Sequence, residues 1–435
     1  MKLPTFNFDN YIFVVTGMSY IIDSSGTSKV VKAHEDIFVE AGIGYVAIFP
    51  ISRSSGEGVN WHVRTTGCYA FVINGQFRRV MTAKDVLNSL LELQKTGKNC
   101  IGILIHHIIR NDIAEVKWIL EKIQNVPVVY YLHDFYTCCI NPNMLKNDTE
   151  SCVDGNVSCE GCAYAEKRAV HLKVIEDFVS KFQDRITFVA PSDYTRNRWL
   201  TYHPQYEDRS LVILHQKCIG EYLGNKEPIP EDQPLRLGFV GTQTHVKGWD
   251  IFKKVVAATQ KAGCNYEYYY FGHGKEQIPS VKNIPVEIAK QGKDAMIKAI
   301  QEKRISAVFL VCVWGETYSY MMFESHAANS YIFTMRQSGN IAYTVEYEKW
   351  GRVFDSEEDI IQALCDEKMI RADINKWKLE SAPGAKEYAD NNDIVTIFSA
   401  DSNGKIIWKR SNNSIIHFAK AAALNIIFKR TRLKN

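Results

Sequence analysis

The sequence predicts an α/β protein made of two parallel-sheet, Rossmann-like domains. Three observations carry this. Short runs that are apolar throughout alternate with longer amphipathic segments, the pattern of parallel strands covered by helices on both faces. The alternation occurs twice, on either side of a polar break. And the chain has 435 residues, more than one core usually serves, since domains rarely exceed about 200.

The first series runs through YIFVV (11–15), YVAIFP (45–50), IGILIHH (101–107), PVVYYLH (127–133), ITFVA (186–190) and LVILH (211–215). Each reads as a buried strand. Lys84 to Lys95 and Asp112 to Gln124 read as helices between them. The second series holds RLGFVG (236–241), YEYYYFG (266–272), SAVFLVC (306–312) and YIFTM (331–335). Its helices include Trp249 to Ala262 and Ala295 to Gln301. Between the series lies IGEYLGNKEPIPEDQPL, with three prolines and no periodicity. The predicted organisation is an N-terminal domain over 1–218, a linker over 219–235, a C-terminal domain over 236–385 and an extension over 386–435.

The extension leaves the alternation. DIVTIFSADSNGKIIWKR (393–410) predicts two strands around an Asn403-Gly404 turn, a hairpin signal. Residues 414–435 then place Ile415, Ala419, Ala422 and Ile426 at helical spacing, with Lys420, Lys429, Arg430, Arg432 and Lys434 nearby and no acid. Two readings stand: a final helix packing its apolar face on the body, or a basic amphipathic helix making peripheral contact with an anionic membrane.

Composition narrows the class. With 46% apolar residues and a net charge of +3, nothing global points to a nucleic-acid partner. The first fifteen residues are interrupted by Asp9 and lack a cleavage pattern, and no apolar run reaches the 18 or so residues that cross a bilayer. The expectation is a cytosolic protein, whose 11 cysteines do not make a disulfide framework.

Ligands of such domains bind at the carboxyl ends of strands, near helix N-termini. Three loops occupy such positions. The first, after residue 15, carries Gly26 among Ser24, Ser25, Thr27 and Ser28, where exposed N–H groups favour an anion or simply cap a helix. It is not G-x-G-x-x-G, which argues against a dinucleotide enzyme. The second, GFVGTQTHVKG, ends a strand at Gly241, passes Thr242 and places Lys247 where a helix opens, a position suited to phosphate. The third, VWGETYSYMMFESHAANSY, sets Glu316 in a loop and Glu324 inside a helix expected over 318–329. Eight positions of helix span about 12 Å, the order of distance from a sugar across a diphosphate to a ribose. Glu324 also lies in an apolar setting that disfavours an unpaired charge.

With these loops in place, the chain resembles retaining GT-B glycosyltransferases of the large family 4 group. GFVGTQTHVKG matches the family's G-x5-K-G loop, and ETYSYMMFE its E-x7-E signature. VAPSDYTRNRWL (189–200), YLHDFY (131–136) and GRVF (351–354) resemble further segments of the family, so the match covers roughly residues 10 to 370. The resemblance implies two Rossmann-like domains facing a cleft. It implies a nucleotide-sugar donor, with Glu324 on the ribose, Glu316 and His133 at the donor sugar, Lys247 on the diphosphate, and the backbone around Ser319 and Tyr320 assisting. It implies metal-independent transfer with retention by front-face attack, to a glycan or lipid-linked glycan acceptor of cell-surface polysaccharide synthesis. The chain departs from the pattern at Thr242, where many members have arginine, and after Glu324, where ESHAANSYIFT replaces E-A-x-A-x-G-x-P. Those departures keep open a catalytically silent sugar-nucleotide-binding partner, or a GT-B nucleotide-sugar epimerase.

Cys138, Cys152, Cys159 and Cys162 form C-x13-C-x6-C-x2-C in one long loop over 138–162, with Cys139 spare. Four thiolates there could tie the loop to a structural Zn²⁺. Free thiols and disulfides are the other readings.

Overall fold

The computed structural model describes residues 7–23, 25–52, 65–152, 159–222, 226–380, 384–399 and 401–431. The N-terminal domain starts with β1 (Asn10–Val15), α1 (Gly26–Glu40) and β2 (Gly44–Ser52), then a meander of β3 (Thr65–Ile73) and β4 (Gln76–Met81). It continues through α2 (Ala83–Lys95), β5 (Asn99–Ile105), α3 (Ile113–Glu121), β6 (Ile123–Gln124) and β7 (Val128–Tyr131). The long loop holds β8 (Leu145–Lys146) and β9 (Glu150–Ser151), and α4 (Ala165–Ser180), β10 (Ile186–Ala190), α5 (Asp193–Leu200) and β11 (Ser210–Val212) complete the domain. Its sheet has the order β11-β10-β7-β5-β1-β2-β3-β4. Strands β11 through β2 run parallel, whereas β3 and β4 are antiparallel additions at one edge. Apart from the half-buried edge strand β11, the parallel strands are almost wholly buried, as their apolar runs require.

A strand β12 (Gln216–Tyr222) leads into the C-terminal domain: β13 (Leu235–Val240), α6 (Trp249–Lys261), β14 (Tyr266–Phe271), β15 (Val281–Ile284), α7 (Ile288–Gln291), α8 (Ala295–Glu302), β16 (Ala307–Leu310), α9 (Tyr320–Ala327), β17 (Tyr331–Met335), α10 (Asn340–Glu348), β18 (Gly351–Phe354), α11 (Glu357–Leu364) and α12 (Glu367–Glu380). Its six strands are all parallel, in the order β15-β14-β13-β16-β17-β18. Renumbered within the domain this is 3-2-1-4-5-6, the Rossmann order. Helices cover both faces of the sheet: Phe252, Val255 and Val256 of α6 pack on one, Met296 and Ile300 of α8 with Met322 of α9 on the other.

The predicted break shifts. Residues 216–222 do not begin a linker but pair antiparallel with β19 (Gly384–Asp390), so the chain crosses between the domains twice, side by side. The predicted hairpin over 393–410 is not formed. Residues 392–397 make a 3-10 turn, and β20 (Lys405–Ile406) pairs with β6 instead. Each apolar run finds a better partner in the N-terminal core than in the other run: Ile394 and Phe398 enter it beside Phe38, and Ile406 enters below α2. The last described element is α13 (Ile415–Thr431), which lies along the edge strand β4. A tail that follows the C-terminal domain in sequence therefore belongs to the N-terminal domain in space.

Candidate functional site

In a doubly wound sheet the ligand crevice opens where the strand order reverses, at the carboxyl ends of the two strands on either side. In the C-terminal sheet those strands are β13 and β16. The loops that leave them are the two that carry Lys247 and Glu316. In the N-terminal sheet the reversal lies between β1 and β5, whose loops lead to α1 and to the His106-His107 pair. The two crevices face one another.

Lys247 reaches Glu316 because Gly248 lets α6 start hard against β16. Gly248 sits at φ +79°, and a Cβ there would lie 2.1 Å from the Val311 carbonyl oxygen. The Lys247 ammonium donates to Glu316 Oε1, which also accepts from Cys312 Sγ at 3.3 Å. Burial works against the lysine charge, but the Glu316 carboxylate outweighs it, and the ammonium is held above its ordinary pKa. Burial first, then the same carboxylate, pushes the Cys312 thiol up. Glu316 is itself fixed by its backbone, which bridges to Gly339 and accepts from Asn340 N at 2.8 Å.

Ser319 is the N-cap of α9, its hydroxyl accepting from Met322 N at 3.3 Å. The helix starts at Tyr320, two residues later than the sequence predicts, because this cap takes Ser319 out of helical geometry. Glu324 is buried on α9 and pairs across the cleft with Lys29 of α1, Nζ to Oε1 3.5 Å. Lys29 also sits 3.9 Å from the centre of the Tyr320 ring. Burial raises the Glu324 pKa, and Lys29 offsets this only incompletely. The Tyr320 hydroxyl is buried with no hydrogen-bond partner among the described residues. So are the hydroxyls of Thr16 and Ser19, just beyond β1. Orphaned buried hydroxyls after β1 and at the start of α9, the two stretches of chain that flank the cleft, are ones a polar ligand would satisfy.

The N-terminal wall is a stack of rings. His133 Nε2 lies 2.9 Å from His106 Nδ1, and Tyr45 Oη lies 3.1 Å from His106 Nε2. Tyr131, His133 and His215 form a mutual ring cluster, with centroids 4.9 Å (Tyr131–His133), 5.2 Å (Tyr131–His215) and 5.6 Å (His133–His215) apart. His215 in turn stacks on Tyr320 at 6.0 Å. Burial first, then the neighbouring imidazoles, holds His106 and His133 well below the ordinary histidine pKa, and burial does the same to His215. Neutral rings bonded nitrogen to nitrogen share one proton per contact, so His106 governs which nitrogen of His133 can donate elsewhere.

Three contacts by Thr317 knit the domains. Its carbonyl accepts from Ser192 Oγ at 2.9 Å and Thr195 Oγ1 at 3.0 Å, and its hydroxyl donates to the His133 carbonyl at 2.6 Å. The residue between Glu316 and Tyr318 is thus the joint of the cleft.

The structure brings together Glu316, Lys247, Ser319, Tyr320, Glu324 and, across the gap, His133. Gly241 lies at the end of β13 at φ +139°, with Met321 Sδ 3.6 Å from where its Cβ would be. Thr242 is exposed and 3.3 Å from the Thr244 hydroxyl. Gly26 opens α1 with nothing near its absent Cβ, and Ser25 caps the helix while the Asp23 carboxylate accepts from Ser25 N and Ser28 Oγ. An internal carboxylate thus holds the anion position there. His326, in the segment that departs from the family pattern, stacks on Trp350 at 3.7 Å and bonds Tyr388 Oη at 2.8 Å, so it packs rather than faces the cleft. Sequence reasoning missed Lys29, Thr317, His106 and His215. One signal for Lys29 was present: a cation in the first turn of a helix opposes the helix dipole and asks for another purpose.

Among the cysteines proposed as zinc ligands the structure sets Cys138 apart from the other three. Cys138 is fully buried in the N-terminal core. Cys139, Cys152, Cys159 and Cys162 instead line one cavity of about 30 Å³, closed by Tyr164, Arg168 and Tyr202. Among the described residues no three His, Cys, Asp or Glu side chains stand in a metal-holding arrangement, and none of these cysteines is in a disulfide.

No protein-family model matches the chain, and no curated protein matches it significantly. Solved structures similar to it include the sucrose-phosphate synthase of Thermosynechococcus elongatus, 12% identical over 98% of this chain and 100% of that one, with a TM-score of 0.47. The Anabaena protein HepE in complex with UDP-glucose is 12% identical over 85% of this chain and 93% of its own, with a TM-score of 0.47. WaaG, a glycosyltransferase involved in lipopolysaccharide biosynthesis, is 10% identical over 85% of this chain and 95% of its own, with a TM-score of 0.47. Likenesses this distant carry no weight for the chemistry of the cleft.

Proposed function

We propose that this chain is a retaining glycosyltransferase that moves a sugar from a nucleotide-sugar donor to a glycan or lipid-linked glycan acceptor. The observation that carries the reading is a single arrangement. Glu316 and Glu324 stand on either side of the α9 N-terminus, at the switch point of a Rossmann sheet, and each is paired with a lysine.

The protein's own charges balance across the site: Lys247 with Glu316, Lys29 with Glu324. An incoming diphosphate competes for both ammonium groups. The freed carboxylates then accept hydrogen bonds, Glu324 from ribose hydroxyls and Glu316 from sugar hydroxyls. The N–H groups of Tyr320 and Met321, ahead of the Met322 N–H that Ser319 caps, face the leaving diphosphate together with the two lysines. These are fixed positive ends aimed where charge develops, the term that dominates such catalysis. A neutral His133 serves as a hydrogen-bond donor to the sugar and not as an acid. Retention, metal independence and a role in cell-surface polysaccharide synthesis rest on the resemblance in the Glu316 and Lys247 loops.

A thermal-shift panel of nucleotides and nucleotide sugars tests the reading, because a ligand bound to the native state raises stability by mass action. Stabilisation by a donor, with sugar transfer or slow hydrolysis that Glu316→Gln removes, is the expected result. Stabilisation without turnover by the wild type would leave a binding module. Failure of every common donor to stabilise the chain would reject the reading altogether.

A further inference from the structure

The final helix answers a question its sequence leaves open. Ile415, Ala419, Ala422 and Ile426 fall within an arc of roughly 60° at 100° per residue, the stripe expected to pack on the body. In the structure all four are exposed. The helix instead buries its opposite side. Ala421 and Phe428 are buried, with Phe428 4.9 Å from the Phe77 ring and 6.0 Å from Phe49. Asn425 Oδ1 accepts from Val80 N at 3.1 Å, covering a donor of the edge strand β4. Ile415, Ile416, Phe418 and Ile426 are left 87%, 77%, 59% and 53% exposed. A helix that is apolar all round belongs where both sides are covered. The body covers one side of α13.

Charge decides what covers the other. Lys420, Lys429 and Arg430 are exposed on or beside the outward face, and no acid occurs between residues 402 and 431. The acids nearest by packing are few. Asp85 and Glu92 of α2 line the groove beside Ile415 and Phe418, and Arg410 already pairs with Glu92 at 3.2 Å. Glu115 feels His417 and Lys420 but is bonded to the Tyr69 hydroxyl at 2.7 Å. A second copy docked on this face would set the same cations against each other, which is unfavourable. An anionic lipid surface accepts both the apolar side chains and the cations. No helix among the described residues is long and apolar enough to cross a membrane, so the contact is one of lying on it.

We infer that the outward face of α13 rests in the interface of an anionic membrane. Ile415, Ile416, Phe418 and Ile426 enter the acyl boundary, and Lys420, Lys429 and Arg430 meet the headgroup phosphates. The inference stands apart from the nucleotide-sugar reading, and its test does not use turnover. The full chain is sedimented with vesicles of phosphatidylcholine alone and of phosphatidylcholine with roughly one third phosphatidylglycerol. Binding to the anionic vesicles is expected at least about tenfold above the neutral ones, weakening as salt screens the cations. The double variant Ile416→Asp, Phe418→Asp should lose that excess and stay within a few degrees of the wild-type Tm, since both side chains are mostly exposed. Equal binding to both vesicle types, no binding, or undiminished binding by the variant overturns the inference. So does a dimer in analytical ultracentrifugation that the same variant dissociates in the absence of vesicle binding, which would assign the face to a second copy.

Discussion

Lys29 of the N-terminal domain and Glu324 of the C-terminal domain, 295 positions apart in sequence, face each other across the cleft at 3.5 Å. Glu324 is buried and Lys29 one third exposed, and at 3.5 Å the lysine only partly offsets the cost of burying the carboxylate. The importance of the pair is positional: it marks where a ligand entering the cleft must come between the domains. Lys29→Ala should lower Tm at pH 7, because it leaves the buried Glu324 carboxylate unpaired, and weaken donor binding about 10- to 100-fold, as expected for loss of one charge-assisted contact. Isothermal titration with the donor found by the panel measures this. Unchanged affinity would remove Lys29 from the site.

Glu324→Gln separates ribose binding from stability. The carboxyl of Glu324 is held above its ordinary pKa by burial, so its charge opposes folding as pH rises through and beyond the ordinary carboxylate range. Removing that charge should leave the ligand-free protein as stable as the wild type or slightly more so at pH 7. The same change should cut nucleotide-induced stabilisation. A variant that melts earlier without ligand would contradict the account of Glu324 as a buried group kept for binding.

The Lys247–Glu316 pair should behave in the opposite way. Glu316 is buried, and removing Lys247 strands its carboxylate, which commonly costs about 3–5 kcal/mol. Lys247→Met is therefore predicted to destabilise strongly, and the double variant with Glu316→Gln to recover much of the loss. Denaturant melts of the two single variants and the double give the coupling energy directly. Additive losses would show that the two groups do not depend on each other. Transfer should fall in both single variants by about 10² to 10³.

Acid should unfold this protein through its histidines. His326 is lowered to about 4 and His34 to about 3, both by burial, and His106, His133 and His215 lie well below their ordinary value. A depressed imidazole contributes stability that is full above the unfolded pKa near 6.5 and is lost as pH falls toward the folded value. Tm should hold from pH 8 to about 6.5 and decline steadily down to about pH 4. His34→Gln should flatten that decline if the folded protein tolerates the amide, and an unchanged slope would point to carboxylates instead.

Cys138 and Cys139 are neighbours in sequence with different surroundings. Burial pushes the Cys138 thiol up to about 12, and it should react with a thiol reagent only on unfolding. Exposed Cys218 should account for the fastest phase, lost in Cys218→Ser. Any zinc found by elemental analysis should depend on Cys139 and not on Cys138, because only Cys139 shares a cavity with Cys152, Cys159 and Cys162.

What could be read in the chain was what local chemistry writes there. Unbroken apolar runs such as those in β1, β5 and β16 have one stable use, a strand covered on both faces, and the segments after β13 and β16 singled out Lys247, Glu316 and Glu324 as candidates. The edge meander β3–β4 went unread because an edge strand need not be apolar throughout.

The sequence alone determined the two Rossmann halves and singled out the two glutamates as candidates, since hydrophobic period and loop position are local properties. Only the tertiary structure decided which partners those residues take. Lys29 meets Glu324 through domain apposition, and no spacing encodes that. Ile394 and Ile406 abandon a hairpin because the N-terminal core offers each more burial than the other does. And the stripe from Ile415 to Ile426 faces outward because Phe428 and Asn425, on the other side of the same helix, fit the sheet edge. A helix with two apolar sides leaves its orientation to whichever neighbour it meets first in the fold.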